Sequence, residues 1–256
     1  MIPFEIASVF EGFGQPIVLL HAFPLSHKLW EKVKVKDYYL TIKPDFPGFG
    51  LSPLTGPEFT LSDFVKGLEA HLTDQNIEKP FVLAGISMGG YSAFEYVRQF
   101  PEQVQKLILI STRAGVDKPE GRENRLKMAE KIEKDGISGL ADTMIPGLLG
   151  KTTLSQKPQV VERVRGWINQ TSPAAVALAQ RAMAARRDQN DLLPALKAKV
   201  AVFAGREDTL IPCSEAEAMA KVIPGCQLKI FDQAGHLIPI EAPKEFQKSL
   251  EEFLEY

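Results

Sequence analysis

Residues 81–90 read Phe81-Val82-Leu83-Ala84-Gly85-Ile86-Ser87-Met88-Gly89-Gly90. Phe81 to Ala84 form a short apolar run of the kind that makes a buried strand, and Gly89 to Gln99 continue as a helix. Small residues at 85 and 89 let the chain turn sharply between the two, which forces Ser87 into an exposed, strained position. A glycine-rich packing turn is the structural alternative. A phosphate cradle is disfavoured because the lysine followed by serine or threonine that grips phosphate is missing, and no dinucleotide fingerprint is present either.

Working outward, a strand is expected from Pro16 to Phe23, closing in a turn at Pro24, and another from Tyr38 to Ile42 before the loop Pro44-Asp45-Phe46-Pro47-Gly48-Phe49-Gly50. A helix fits Leu61 to Gln75, capped by Thr60 or Ser62, with Leu61, Phe64, Val65, Leu68 and Leu72 on one face. Strands follow at Val104 to Ser111, Lys199 to Ala204 and Gln227 to Phe231. Helices fit Ser214 to Val222 and Pro243 to Leu254. Strand Phe81 to Ala84 with no charge in its core, then a helix, then strand Val104 to Ser111 predict a mostly parallel sheet flanked by helices, an α/β fold.

Between Ser111 and Lys199 the pattern turns helical, over Arg122 to Lys134, Ile137 to Met144, Val160 to Asn169 and Ala174 to Arg187. This predicts a helical cap inserted after the strand ending near Ser111. The expected division is a core of residues 1–115 and 195–256 and a cap, or lid, of residues 116–194. An insertion there lies beside the carboxyl ends of the strands, where an open parallel sheet places its ligand crevice.

The 256 residues carry 30 basic and 32 acidic side chains, a formal charge of −2. That balance lacks the footprint of a nucleic-acid binder, and no apolar run approaches membrane-spanning length, so neither nucleic acid nor membrane is an expected partner. Met1 to Gly14 has no lysine or arginine, so the positive flank of a secretory leader is missing and a cytoplasmic location is expected. Cys213 and Cys226 lack metal-site spacing and read as reduced structural residues, with a single disulfide as the alternative. A monomer or homodimer is expected.

A serine hydroxyl needs a base, and the base needs a buried carboxylate to fix its tautomer. His236, in Asp232-Gln233-Ala234-Gly235-His236, follows a late strand and can return to the strand-end face. His71 sits in a helix as a surface or packing residue, His27 lies in the loop before Trp30, and His21 reads as a structural residue holding the loop after the first strand. Asp208, after the strand ending in Phe203-Ala204-Gly205, gives the chain order serine, aspartate, histidine. Its competitors are Glu207, read as solvated, and Asp232, read as a turn residue. The backbone N–H groups of Met88 and Phe23 are the expected oxyanion donors. Asp45 reads as a turn residue bonded to its own backbone. Arg206 and Arg113 read as ion-pair or surface groups, with contact to an anionic substrate as the alternative.

Taken together, the loop His21-Ala22-Phe23-Pro24, the Pro44 to Gly50 loop, the turn around Ser87, the Asp208 turn and the Gly235-His236 pair resemble the α/β-hydrolase family in its lidded serine esterase and lactonase branch. The passages Ser111 to Gly115 and Pro119 to Arg122 are similar to enol-lactonases and to the pimeloyl carrier protein methyl ester esterase. The family's usual first loop has glycines where this chain has Ala22 and Pro24. The resemblance implies a carboxylesterase acting on a small-molecule ester of short to medium acyl chain through an acyl-enzyme, with no cofactor and no metal. Lactone hydrolysis and a slowly turning-over ligand receptor are the alternatives, and a peroxide-using side activity would need the same three residues. Met144, Ile145, Leu148, Leu149, Trp167 and Met183 are apolar cap residues from which a roof over the serine can be built.

Overall fold

Ile17, Val18, Leu19 and Leu20 are all fully buried. Successive side chains of a strand point to opposite faces, so the sheet containing them is covered on both sides. The computed structural model describes residues 5–36, 38–56 and 58–256, so Met1 to Phe4 of the segment read for a leader lie outside the described residues. The sheet has seven strands: β1 (Ser8–Gly12), β2 (Gln15–Leu20), β3 (Tyr39–Pro44), β4 (Phe81–Ile86), β5 (Val104–Ile110), β6 (Lys199–Gly205) and β7 (Gln227–Phe231). Their order is β1-β3-β2-β4-β5-β6-β7; β1 pairs antiparallel with β3, and every other pairing is parallel.

The flanking helices are α1 (Leu61–Asp74), α2 (Met88–Gln99), α8 (Cys213–Val222), the short α9 (Ile238–Glu241) and α10 (Pro243–Glu255). Thr60 caps α1 in a reciprocal box with Asp63. Phe246 of α10 brings its ring against Trp30, Phe203 and Phe231, which seats the last helix on the end of the sheet. Cys213 and Cys226 are free thiols, and burial pushes that of Cys226 up to about 11. Among the described residues no helix is long and apolar enough to cross a membrane.

The cap holds α3 (Pro119–Asp135), α4 (Leu140–Leu148), α5 (Lys151–Gln156), α6 (Pro158–Asn169) and α7 (Pro173–Ala184). Its first helix begins three residues before Arg122 and its last ends three before Arg187, and two further places depart from expectation. The second helix starts and ends later than Ile137 to Met144, because Gly139 sits at φ +75° before it and Leu149 N–H still reaches Ile145 O past Pro146. The six-residue α5 was not expected, being too short and too polar to show a helical period. At the other end of the chain, the edge strand β1 was missed because its residues are half-buried or exposed, without the apolar run of a central strand.

The loop after β3 is built around Asp45, which is fully buried. Its Oδ1 accepts His27 N–H at 2.6 Å, and its Oδ2 accepts Leu51 N–H at 2.8 Å and meets His27 Nδ1 at 2.6 Å. Gly50 lies so close, at φ +53°, that a Cβ there would stand 2.1 Å from Oδ2. Asp45 is therefore more than a local turn residue, since two of its three bonds go to the loop around His27. His21 ties the same two loops together: Nδ1–H donates to Ala22 O at 3.0 Å and Nε2 accepts Phe46 N–H at 3.1 Å. Burial lowers its pKa, which keeps the ring neutral in this double role.

Burial pushes the Asp45 carboxyl up, but the bonds from His27 and from the two backbone N–H groups outweigh it and leave the pKa below the usual range. Its stabilisation is thus complete above the unfolded carboxylate value and is lost as pH falls through the lower folded value. Asp45→Ala strands these donors and should cost about 3 kcal/mol. Thermal unfolding at pH 7 should show a Tm lowered by roughly 6–12 °C, and the gap to the parent protein should narrow in acid.

Candidate active site

The carboxyl ends of β2, β4, β6 and β7 open onto one edge of the sheet, with Leu20 opposite Gly85 and Gly205 opposite Phe231. Ser87 follows β4 at φ +55° and ψ −113° and stands at the N-cap of α2, a conformation that costs a non-glycine residue of order 1–3 kcal/mol. Backbone hydrogen bonds hold it there: Ser87 N–H donates to Ile110 O at 3.0 Å, and Ser87 O accepts from Tyr91 N–H and Thr112 Oγ1. The glycines are required by close approach. A Cβ on Gly85 would stand 2.3 Å from Gly89 O, and one on Gly89 would stand 2.2 Å from Leu20 O.

His236 is buried after β7, and its Nδ1 lies 2.7 Å from Asp208 Oδ2. Asp208 is held in turn by Leu210 N–H and Ile211 N–H, both 2.9 Å from Oδ1. With both oxygens occupied, the carboxylate can keep only one orientation, and it fixes the imidazole tautomer with Nδ1 protonated. Ser87 and His236 line one cavity of about 330 Å³ between core and cap, and Phe23 lines it beside them. Neither Phe23 N–H nor Met88 N–H has a hydrogen-bond partner among the described residues.

The other sequence candidates lie elsewhere. His71 Nε2 meets Ser8 Oγ at 2.9 Å, and His27 faces Asp45. Arg206 pairs with Asp232 at 2.6 Å on the surface. Of the apolar cap residues, Met144, Leu148 and Met183 reach the cavity. Ile145 and Leu149 are buried in the core cluster, and Trp167 lines a separate hollow with Leu25 and His27.

Glu207 overturns its solvated reading, because its carboxylate accepts Thr152 N–H at 2.8 Å and Thr152 Oγ1 at 2.6 Å, at the start of α5. Glu241, which the sequence reading passed over, is 1% exposed and accepts Leu237 N–H at 2.9 Å and Gly150 N–H at 2.7 Å. The residue next to Asp208 and a residue shortly after His236 are thus fastened to the same short piece of cap. Gly150, Gly205 and Gly235 make the approach possible: a Cβ on Gly235 would stand 2.2 Å from Gly150 N, and one on Gly205 would stand 2.0 Å from Gly235 O. The glutamate before an aspartate and the glycine before a histidine were visible in the sequence. Their shared target was not, since α5 itself was unread.

Glu241→Ala leaves the N–H beside His236 without its acceptor and loosens the ring. A displacement of about 1 Å at a reacting group is enough to cost on the order of 100-fold. Steady-state assay of a p-nitrophenyl ester should accordingly show kcat/KM lowered by roughly 10- to 100-fold, with the far-UV spectrum of the folded protein retained.

A sequence profile described as the alpha/beta hydrolase fold matches residues 15–243. A thermophilic esterase from Thermogutta terrifontis, solved with malate bound, is 37% identical and superimposes with a TM-score of 0.95, covering 98% of this chain and 93% of that one. An AB hydrolase superfamily protein of Bacillus subtilis is 31% identical over 243 residues, which is 88% of this chain and 86% of the relative. The enol-lactonase from Burkholderia xenovorans superimposes with a TM-score of 0.91 over 99% of this chain and 97% of its own, at 21% identity, a likeness of fold alone. With the sheet order, the turn at Ser87 and a profile match spanning most of its length all in agreement, the chain belongs to the alpha/beta hydrolase family.

Proposed function

We propose that the protein is a serine carboxylesterase in which Ser87 is the nucleophile, His236 the general base and Asp208 its orienting acid. The observation that carries this reading is that the buried His236, bonded to Asp208, lines one cavity with Ser87. Residues 116–194 act as its cap and the remainder as its core. The substrate is a small-molecule ester of short to medium acyl chain, in keeping with a cavity of about 330 Å³ roofed in part by Met144, Leu148 and Met183. The likeness to the Thermogutta terrifontis esterase supports the same activity class.

In this mechanism Ser87 Oγ attacks the ester carbonyl carbon while its proton passes to Nε2 of His236. The carbonyl oxygen gains the negative charge and accepts hydrogen bonds from the unpartnered N–H groups of Phe23 and Met88. Positive charge on the imidazolium is balanced by Asp208 through Nδ1. As the tetrahedral carbon collapses, the C–O bond to the alcohol breaks and His236 returns the proton to the leaving oxygen, giving an acyl-Ser87 ester. A water deprotonated by His236 then attacks the acyl carbon, and the acid leaves as Ser87 regains its proton. A lactone would open by the same steps, its alcohol staying tethered to the acyl group.

Steady-state hydrolysis of p-nitrophenyl acetate, butyrate, octanoate and decanoate tests this. Turnover should fall about a thousandfold or more in Ser87→Ala and strongly in Asp208→Asn, and decanoate should be used less efficiently than butyrate. Equal turnover by Ser87→Ala would sink the reading.

A further inference from the structure

The cavity that holds Ser87 is lined by apolar side chains, among them Phe23, Ile211, Met144 and Leu148, and also by Arg113, Asp117, Arg125 and Gln180. Among these polar residues, Arg125 Nε donates to Asp117 Oδ2 at 2.7 Å and its Nη1 to Gln180 Oε1 at 3.0 Å. Arg186 grips both oxygens of Asp117 from behind, at 2.6 and 3.0 Å, and lays its guanidinium over the Tyr91 ring at 4.3 Å. Burial raises the Asp117 pKa, but the bonds from Arg186 and Arg125 outweigh it and bring it to about 2, so this carboxylate is ionised in ordinary buffers.

Arg113 is differently placed. Nη2 donates to Leu210 O at 2.8 Å and Nη1 stands 3.8 Å from Glu215 Oε1. Nε is buried with no hydrogen-bond partner among the described residues. Arg113, Asp117 and Arg125 line the cavity, and with Arg186 and Glu215 beside them three guanidiniums stand against two carboxylates. One positive charge is in excess beside the cavity that also holds the nucleophile, and Arg113, 3.8 Å from its nearest carboxylate and with Nε unpartnered among the described residues, is the lining arginine with the weakest carboxylate contact. An unbalanced cation in such a place is costly unless an anion completes it, and a guanidinium fork matches a carboxylate better than any other small anion except phosphate.

We infer that the ester substrate carries a carboxylate remote from its scissile bond, as in a half-ester of a dicarboxylic acid, and that Arg113 receives that carboxylate while the ester carbonyl lies at Ser87. Arg113 is then the residue that sets specificity, and the paired Asp117 keeps Arg125 and Arg186 in position behind it. This rests on the esterase reading given above.

The test compares mono-4-nitrophenyl adipate with methyl 4-nitrophenyl adipate, which differ only in whether the far end is charged. The wild type should favour the half-ester by about tenfold or more in kcat/KM, the range expected of one charge-assisted contact. Arg113→Gln should bring that ratio close to one, the loss in kcat/KM falling chiefly on the half-ester. Arg113→Lys should retain part of the preference, and Arg206→Gln, which removes a surface charge outside the cavity, should leave it intact. Preference of the wild type for the diester, or an equal loss on both substrates in Arg113→Gln, overturns the proposal. Calorimetry on Ser87→Ala with monomethyl and dimethyl adipate separates the two readings if neither chromogenic ester is turned over. Tighter binding of the half-ester would then keep the anion site while the esterase reading falls, and equal binding would remove the anion site as well.

Discussion

The left-handed backbone at Ser87 is the constraint on which the rest of the molecule depends. A residue with a side chain is held at φ +55° because the strand before it and the helix after it are both fixed by packing. Three backbone segments come within a Cβ radius of each other there, and only glycine at 85, 89 and 90 lets them. The segments brought together are the ends of β2 and β4 and the first turn of α2, with Thr112 beyond β5 closing the fourth side. The same approach that strains Ser87 also sets the loop at Phe23 against the N-terminus of α2. Strain, anion-stabilising dipole and the neighbouring N–H group are consequences of one steric arrangement.

From that point the chain is organised by buried carboxylates rather than by apolar contact alone. Asp45 binds the loop after β3 to the loop after β2, Asp208 orients His236, and Glu207 and Glu241 fasten α5 to the core. Each is placed where strand ends leave backbone N–H groups without a ladder partner, so each answers a donor that a loop would otherwise leave unsatisfied. Burial raises the Glu241 pKa even though N–H groups face it, whereas at Asp45 the His27 imidazole and the backbone N–H groups together more than offset burial. The difference is the added imidazole, which tips a balance that neutral donors only temper.

Much of this was legible in the sequence, and the limits follow from what a sequence encodes locally. Strands β2, β4, β5 and β6 are continuous apolar runs, so a core strand and its bounding turn are visible residue by residue. Ser87 directly follows β4, Asp208 lies three residues after β6 and His236 a short turn after β7, and their placement at one edge follows from parallel pairing. The edge strand β1 lacks that signal because one flank of it faces solvent, and α5 lacks it because six residues are less than two turns. Glu207 read as solvated for the same reason: its partner, Thr152, lies 55 residues upstream on the element that was not seen. Arg113, read as an ion-pair or surface group with contact to an anionic substrate as the alternative, does pair with Glu215; that it also lines the cavity is not legible locally, because nothing tells an arginine after a strand whether a cap will fold over it.

The junction of Gly150, Gly205 and Gly235 bears on how proteins of this architecture exchange parts. By chain position residues 150–156 belong to the cap, yet Gly150 is wedged against the core loops at distances that admit no side chain, and Gly150 and Thr152 are hydrogen-bonded to Glu241 and Glu207. Recombination that traded the whole insertion for another would tear out a piece on which the histidine and aspartate loops rest. Exchange that spares 148–157 would replace α3, α4, α6 and α7 around a fixed peg. The inherited unit of the core is in this sense made of three separate stretches of chain, with a short helix from within the cap counted among its parts.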